Sequence, residues 1–556
     1  MKKMIFVSAF LILIFLLISP VFSSGGQART GTAASGPYQR DPNLNPPGTF
    51  PINRNTVALR IGVAQNPLVE DFQTNWMTRQ FEERGNYTLT FDTFPQADFD
   101  QRVQLMMMSG GDDLPDVLMT SGSFNLSRLV SYADAGMVIP LNMYYENSAH
   151  YINQQLQHFD IDVLRYVTSY DGNIYGIPRI ADGIGDMYSS NVIMMYKPWL
   201  ERLGYPQMPR TITEFENVLT AIRDRDPNGN GIRDEIPLIS DSGGSLSNML
   251  RALMNPFIYT QANYWIVENG RIDVVFNKPA WRDGLRYANR LLEQGLISPL
   301  SYTQNATQMN AMINSDPQTV GAFARISASN LPLNSELRHN FYRFQPLEGP
   351  GGTNVFKNLN LPSIRMIITS NCRTPESAFM LGDFMISEEM SLANRYGEYG
   401  VDWATPGPGL RAIFASLGFQ PRILSNLGAP WGSIQNKYYA QTGPHFLPGI
   451  WSNGTTTDLP SSVPWDDFDG SYLIHYIAAA NDDPVVGIIY NEREQQIMDE
   501  FHLTIINYVH ESYTRFVTGD LSIDRDWDRY IAEFGRMGLA DVIRATQSAW
   551  DRMHGR

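Results

Sequence analysis

From residue 56 to residue 120 the apolar positions switch repeatedly between two spacings. Residues 56–63 (TVALRIGV) read as a strand. Residues 69–84 place Phe72, Trp76, Arg79 and Gln80 at helical spacing, and residues 87–93 alternate as a strand again. Val103, Met106 and Met107 share one side of a predicted helix over 99–108, and residues 115–120 form a short buried strand. Side chains return to one face about every 3.6 residues in a helix and every second residue in a strand, so the spacing separates the two. The β-α-β-α-β order calls for a parallel sheet covered by helices on both faces.

The pattern recurs further on without a sequence repeat. Thr211-Ile-Thr-Glu214 is a capping box, in which the hydroxyl satisfies a free helix amide and the glutamate reaches back. Phe215, Val218, Leu219 and Ile222 follow at i, i+3, i+4 and i+7, one buried stripe. Further helices are predicted over 281–294, closed by Gly295, and over 375–389, 492–518 and 527–552. The fold class is α/β throughout, with a helix-rich C-terminus.

Composition and the N-terminus narrow this picture. Lys2 and Lys3 precede an apolar run over 5–18, Ser19-Pro20 ends it, and Val21-Phe22-Ser23 offers small or modest side chains. These features predict a secretory signal, residues 1–23, cut near Ser23-Ser24; the run is short for a membrane span. Residues 24–51, rich in Gly, Ser, Thr, Pro and Asn, read as a flexible tether. A chain of 556 residues exceeds one ordinary core and implies two large lobes or more. A net charge of -15 argues against nucleic acid or an anionic membrane surface, since either needs a basic footprint. The single cysteine, Cys372, excludes an intramolecular disulfide and reads as a small buried hydrophobe.

The sharpest local motif is Asp226-Pro-Asn228-Gly-Asn230-Gly231-Ile-Arg-Asp234-Glu235. Side-chain oxygens stand at 226, 228 and 230, a glycine permits the turn, and two carboxylates close it. Calcium takes about 6–8 hard oxygen ligands at roughly 2.3–2.6 Å, and this spacing wraps them around one point, with the Ile232 carbonyl filling the gap. It is not an EF-hand, because the twelfth position is Pro237. The same residues also make an Asx-rich turn without metal.

Several segments together are similar to the family 1 extracellular solute-binding proteins of ABC importers. They are SGGDDLPDV at 109–117, DGNIYGIP at 171–178, MYKPWLERLG at 195–204, the loop at 226–237, QGLISP at 294–299, RYGEYGVDW at 395–403 and FVTG at 516–519. The branch they resemble is the large calcium-containing one that includes alginate-oligosaccharide binders. The resemblance implies a periplasmic-binding-protein type II-like fold: two α/β lobes joined by crossover hinges, with a ligand cleft between them. It assigns residues 52–180 and 359–425 to lobe one, and 181–358 and 426–556 to lobe two. Crossovers fall near 178–183 and 347–358. It also implies a structural Ca2+ held by Asp226, Asn228, Asn230, the Ile232 carbonyl, Asp234 and Glu235. Relatives are often lipoproteins, but Ser23-Ser24-Gly25 stands at the cleavage site and no cysteine precedes 372. Export to a periplasm or the extracellular space, as a monomer without a lipid anchor, is therefore expected.

Sugars are held by aromatic faces and planar polar side chains, gathered at strand ends and crossovers. On that ground the candidates are Arg179, Asp182 and Tyr188 after the YGIP segment, Asp402 and Trp403, then Trp431 and Trp451 in Gly/Pro-rich stretches. The function implied is capture of a sugar or oligosaccharide and its delivery to the permease subunits of the importer. No zinc signature, phosphate loop, nucleophile elbow or dinucleotide fingerprint occurs, so an enzyme is not expected. A secreted carbohydrate-active enzyme and a ligand-presenting sensor on the same fold are the alternatives.

Overall fold

The computed structural model describes residues 38–555 except 110–112, 189–191, 325–336, 338–339, 425–433, 457–471 and 481–484. The signal segment 1–23, the first part of the tether and Trp431 lie outside the described residues.

The first lobe is built on a six-stranded sheet. Its spatial order is His445–Leu447, Ile177–Ala181, Ser363–Ile368, Val117–Met119, Val57–Gln65 and Tyr87–Pro95. Val57–Gln65 runs parallel to both Tyr87–Pro95 and Val117–Met119, as the alternating spacings require. Ser363–Ile368 is antiparallel to both its neighbours, so the sheet is mixed. The second lobe holds a three-stranded antiparallel sheet, Ala322–Ala324, Ile193–Tyr196 and Phe341–Arg343. Its cover includes the helices Ile212–Asp224, Pro279–Glu293 and Leu503–Thr518.

Each lobe has its own apolar core, one around Ile61, Phe81, Ile367 and Phe384, the other around Trp199, Phe215, Trp281 and Tyr513. The chain passes between them after Ala181, again between Arg343 and Ser363, and a third time after Leu447. The third passage corrects the division drawn at residue 425. Tyr438, Tyr439 and Phe446 belong to the first core, because His445–Leu447 extends that sheet alongside Ile177–Ala181.

The capping box forms as read. Thr211 Oγ1 accepts from the Glu214 amide at 3.1 Å while Glu214 Oε2 accepts from the Thr211 amide at 3.3 Å, and the stripe from Phe215 to Ile222 is buried. Other bounds move for local reasons. The helix expected from 69 is Trp76–Gly85, since Asn66 and Asp71 accept backbone amides two residues on and Asn75 caps the start. Ser387 splits the 375–389 stretch by capping a second helix, Glu388–Tyr396. Gly538, at φ 77°, separates Trp527–Arg536 from Leu539–Met553.

Residues 38–51 are not a tether. Leu44 and Ile52 are buried in the first core, the Asp41 amide donates to Glu376 Oε2 at 3.0 Å, and Tyr38 bonds the same carboxylate. Three nominated ligand residues are also structural. Tyr188 is 3% exposed, inside a small cluster with Val192 and Met194. Trp403 is 8% exposed among Ala181, Leu392, Ile423 and Leu447, and its indole N–H donates to the Gly397 carbonyl at 3.0 Å. Asp402 is buried, accepts from Lys437 Nζ at 2.6 Å and from the Glu398 amide at 2.9 Å. A buried ring with its one donor satisfied is packing, not a free stacking face.

Two stability changes follow from these placements. Leu44→Ala lowers the unfolding free energy by about 2–5 kcal/mol in urea titration, where a flexible tether would give no change. Trp403→Ala lowers it by about 3–5 kcal/mol, and a variant of unchanged stability would return Trp403 to the surface.

Candidate functional site

Parallel strands that end together leave loops and unpaired backbone at one edge, where open α/β sheets receive ligands. In the first lobe that edge gathers the C-terminal ends of Val57–Gln65, Val117–Met119, Ile177–Ala181 and His445–Leu447 with the start of Ser363–Ile368. It is also where the chain leaves for the second lobe.

A polar row crosses this end of the sheet. His445 and Ser363 are the direct strand partners of Arg179 on either side. Arg179 Nε donates to His445 Nε2 at 3.2 Å and its terminal nitrogen lies 3.4 Å from Gln441 Oε1. That contact leaves the imidazole proton on Nδ1, 3.1 Å from the Gly443 carbonyl. Burial, then the Arg179 charge, holds His445 well below the ordinary histidine range, so it is neutral. Arg365 joins the row by donating from Nε to Ser363 Oγ at 3.1 Å. The sequence reading missed Arg365, whose place beside Arg179 arises from strand pairing nearly two hundred residues apart.

Asp182 begins the first passage between lobes. It is partly buried, and burial raises its carboxyl above the usual range while the Gly449 amide opposes that shift. Its Oδ1 is buried without a hydrogen-bond partner among the described residues. The Ile184 amide donates to Asn453 Oδ1 at 2.8 Å, which ties this passage to the end of the short helix Gly449–Ser452 that carries Trp451. Trp451 is partly exposed, with its indole N–H on Glu388 Oε2 at 3.2 Å and the Arg422 guanidinium 5.5 Å from its ring centre. Arg179, Asp182 and Trp451 thus sit at the lobe boundary, whereas Tyr188, Asp402 and Trp403 are buried.

A second feature of the boundary is a cavity of about 580 Å³ with Phe124, Tyr166 and Tyr170 from the first lobe facing Trp265, Tyr490 and His502 from the second. Its wall takes Ser363 and Ile364 but neither Arg179 nor Arg365, so the polar row and this groove adjoin only at Ser363. None of the nominated residues lines it. Its aromatic residues lie far apart in sequence, and no local pattern marks them.

The loop after Ile212–Asp224 folds on itself as its composition suggests. Asp226 takes φ 47°, and its two carboxylate oxygens accept from the Gly229 and Gly231 amides at 3.0 and 2.9 Å. Asn228 and Asn230 each accept from the amide two residues on, at 2.9 and 2.7 Å. Both asparagine amides also lie 3.2 Å from Asp234 Oδ1. Among the described residues no three His, Cys, Asp or Glu side chains form a ready metal cluster. The donors here include two asparagines and a carbonyl, all oxygen. Glu235 is 8% exposed and its Oε2 has no hydrogen-bond partner among the described residues. Burial raises its carboxyl, and the charges of Asp226 and Asp234 add to that shift. A buried, unsatisfied carboxylate oxygen among like charges fits a hard divalent cation.

No protein-family model matches the chain. It is 25% identical over 530 residues to the fructooligosaccharide ABC transporter substrate-binding protein FusA of Streptococcus pneumoniae, covering 91% of this chain and 92% of the relative. A 193-residue stretch, 34% of this chain and 37% of the relative, is 26% identical to the lipoprotein LipO of Bacillus subtilis. The solved structure of FusA with kestose superposes with a TM-score of 0.72 at 20% identity, covering 90% of this chain and 99% of FusA. Another solved FusA structure is an EF-hand mutant with fructo-nystose, at TM-score 0.73, 20% identity and the same coverage. The alginate-binding protein AlgQ2 without calcium ion superposes at 0.67, 20% identical, over 91% of this chain and all of that one. Over nine tenths of its length, the chain has the two-lobed fold of the ABC-transporter substrate-binding proteins.

Proposed function

We propose that this chain is the extracytoplasmic solute-binding component of an ABC importer, a monomer that captures an oligosaccharide between its lobes and delivers it to the permease. The observation that carries this reading is the end-to-end match to a substrate-binding protein of oligosaccharide transport, 91% of one chain on 92% of the other. FusA, matched in sequence and in structure, is a substrate-binding protein, which supports binding rather than catalysis. In this reading Arg179 and Asp182 bind hydroxyl or charged groups of the sugar, and the partly exposed Trp451 offers an aromatic surface. The three passages between lobes absorb the closing rotation, since the cores on either side are packed. Residues 1–23 direct export.

The calcium ion belongs to the same proposal. Asp226, Asn228, Asn230, the Ile232 carbonyl, Asp234 and Glu235 would hold it, at a loop built entirely from second-lobe residues. A bound Ca2+ there offsets two of the three carboxylate charges and satisfies Glu235 Oε2, so its contribution is structural.

Two measurements test these statements. A panel of fructo-, uronic-acid and neutral oligosaccharides should contain one that stabilises the fold, by about 2.7 kcal/mol at a hundredfold excess over its Kd, and shrinks the radius of gyration in solution scattering. A tight ligand that leaves scattering unchanged argues against lobe closure. Chelation of calcium should lower the melting temperature, and Asp234→Ala should remove the difference between calcium-loaded and chelated protein. Identical melts of the calcium-loaded and verified metal-free wild-type protein would exclude the metal site.

A further inference from the structure

We propose that the groove between Tyr166 and Trp265 is a saccharide site in its own right, taking a neutral sugar segment on the opposite side of strand Ser363–Ile368 from Arg179. The class of ligand rests on the solute-binding reading above; the site does not. Paired residues of neighbouring strands share a face of the sheet, and successive residues point to opposite faces. Ser363 pairs with Arg179 and so shares its face, and the Arg365 hydrogen bond to Ser363 Oγ keeps the polar row there. Ile364 pairs with Pro178, points the other way and forms part of the groove wall.

The groove has the size and lining of a ligand site. Its volume of about 580 Å³ falls within the ~300–1,000 Å³ of small-molecule sites. Tyr166 and Tyr170 stand on one wall, Trp265 and Tyr490 on the other. Trp265 is anchored in the second core. Gly487, at φ 64°, passes so close to Tyr166 that a Cβ there would lie 2.9 Å from a ring carbon, which holds this ring in place. Among the described residues the Tyr166 and Tyr170 hydroxyls, the Asn263 side chain and the Trp265 indole N–H have no hydrogen-bond partner. Trp403, by contrast, spends its indole N–H on the Gly397 carbonyl. Rings with unspent polar ends suit a ligand that offers C–H faces bordered by hydroxyls, as a sugar does.

A second observation comes from the long C-terminal helix, which loses its regular turn at this wall. Met498–His502 is a π-helical turn, and Met498, Asp499 and His502 all line the groove. Such turns recur at functional sites. The His502 ring lies nearly parallel to Trp265, 6.1 Å between centres at 15°. Ser127 Oγ donates to Gln495 Oε1 at 3.1 Å and Gln495 Nε2 to Asp499 Oδ1 at 2.7 Å, so a hydrogen-bonded chain joins the walls of the two lobes. The lining carries one charge of each sign, Arg128 and Asp499, while burial holds His502 below the ordinary histidine range. A wall without net charge matches a neutral sugar better than an acidic one.

The test is calorimetric titration of the full chain with raffinose, maltotriose and cellotriose, with trigalacturonate as the charged competitor. At least one neutral trisaccharide should bind. Tyr170→Ala and Asn263→Ala, both at exposed positions, should each weaken it about tenfold, a larger loss than Asp182→Asn causes. A melting curve for each variant reports whether it folds. Groove variants that lose no more affinity than Asp182→Asn overturn the proposal. So does displacement of the neutral sugar by an equal concentration of trigalacturonate, or a chain that binds other glycans but none of these three. Each of those results leaves solute binding intact, whereas failure of every glycan in this and the broader panel sinks both.

Discussion

The antiparallel strand Ser363–Ile368 is the constraint on which the two-lobed arrangement depends. It lies between Ile177–Ala181 and Val117–Met119 and completes the backbone hydrogen bonding of both. Removing it would split the first sheet and leave buried amides and carbonyls unpaired on each side. Yet the chain reaches this strand only after building most of the second lobe between residues 182 and 362. The first lobe cannot finish its sheet without a connection that passes through the second. Such long-range pairing slows folding, because the loop must close before its contacts stabilise it.

The same topology concentrates motion and polarity at one edge. Three passages cross there, so rotation of one lobe against the other can occur without disturbing either core. Away from that edge, several buried charges are well provided for. Asp383, which burial pushes up to about 6, accepts from the amides of His150, Tyr151 and Ile152. Glu376 takes bonds from Ser148 and from the Asp41 amide. At the edge Asp182 keeps a buried oxygen with no hydrogen-bond partner among the described residues. Unsatisfied polar groups of this kind concentrate at functional sites.

Much of the fold was legible along the chain because it is set by neighbours in sequence. The Thr211 capping box, the stripe from Phe215 to Ile222 and the strand-helix alternation from 57 to 119 depend on residues three or four positions apart, or on adjacent turns. The Asp226 loop folds through contacts within ten residues, so its spacing alone announced its shape. The expected helix at 69 and the unbroken one at 375 went astray where Asx turns and an internal serine cap competed with helix propensity.

By itself the sequence determined the alternating α/β elements, the oxygen-rich loop and the motifs shared with solute-binding proteins. Tertiary structure alone decided which tryptophan is core and which is exposed. Trp403 and Trp451 both lie in Gly/Pro-rich stretches, but one is sealed among Leu392, Ile423 and Leu447 while the other lies partly open. It also gave residues 435–447 to the first lobe, drew Leu44 into the core and set Arg365 beside Arg179. Burial and charge proximity arise between segments hundreds of residues apart, and no local spacing encodes which remote segment will cover a side chain.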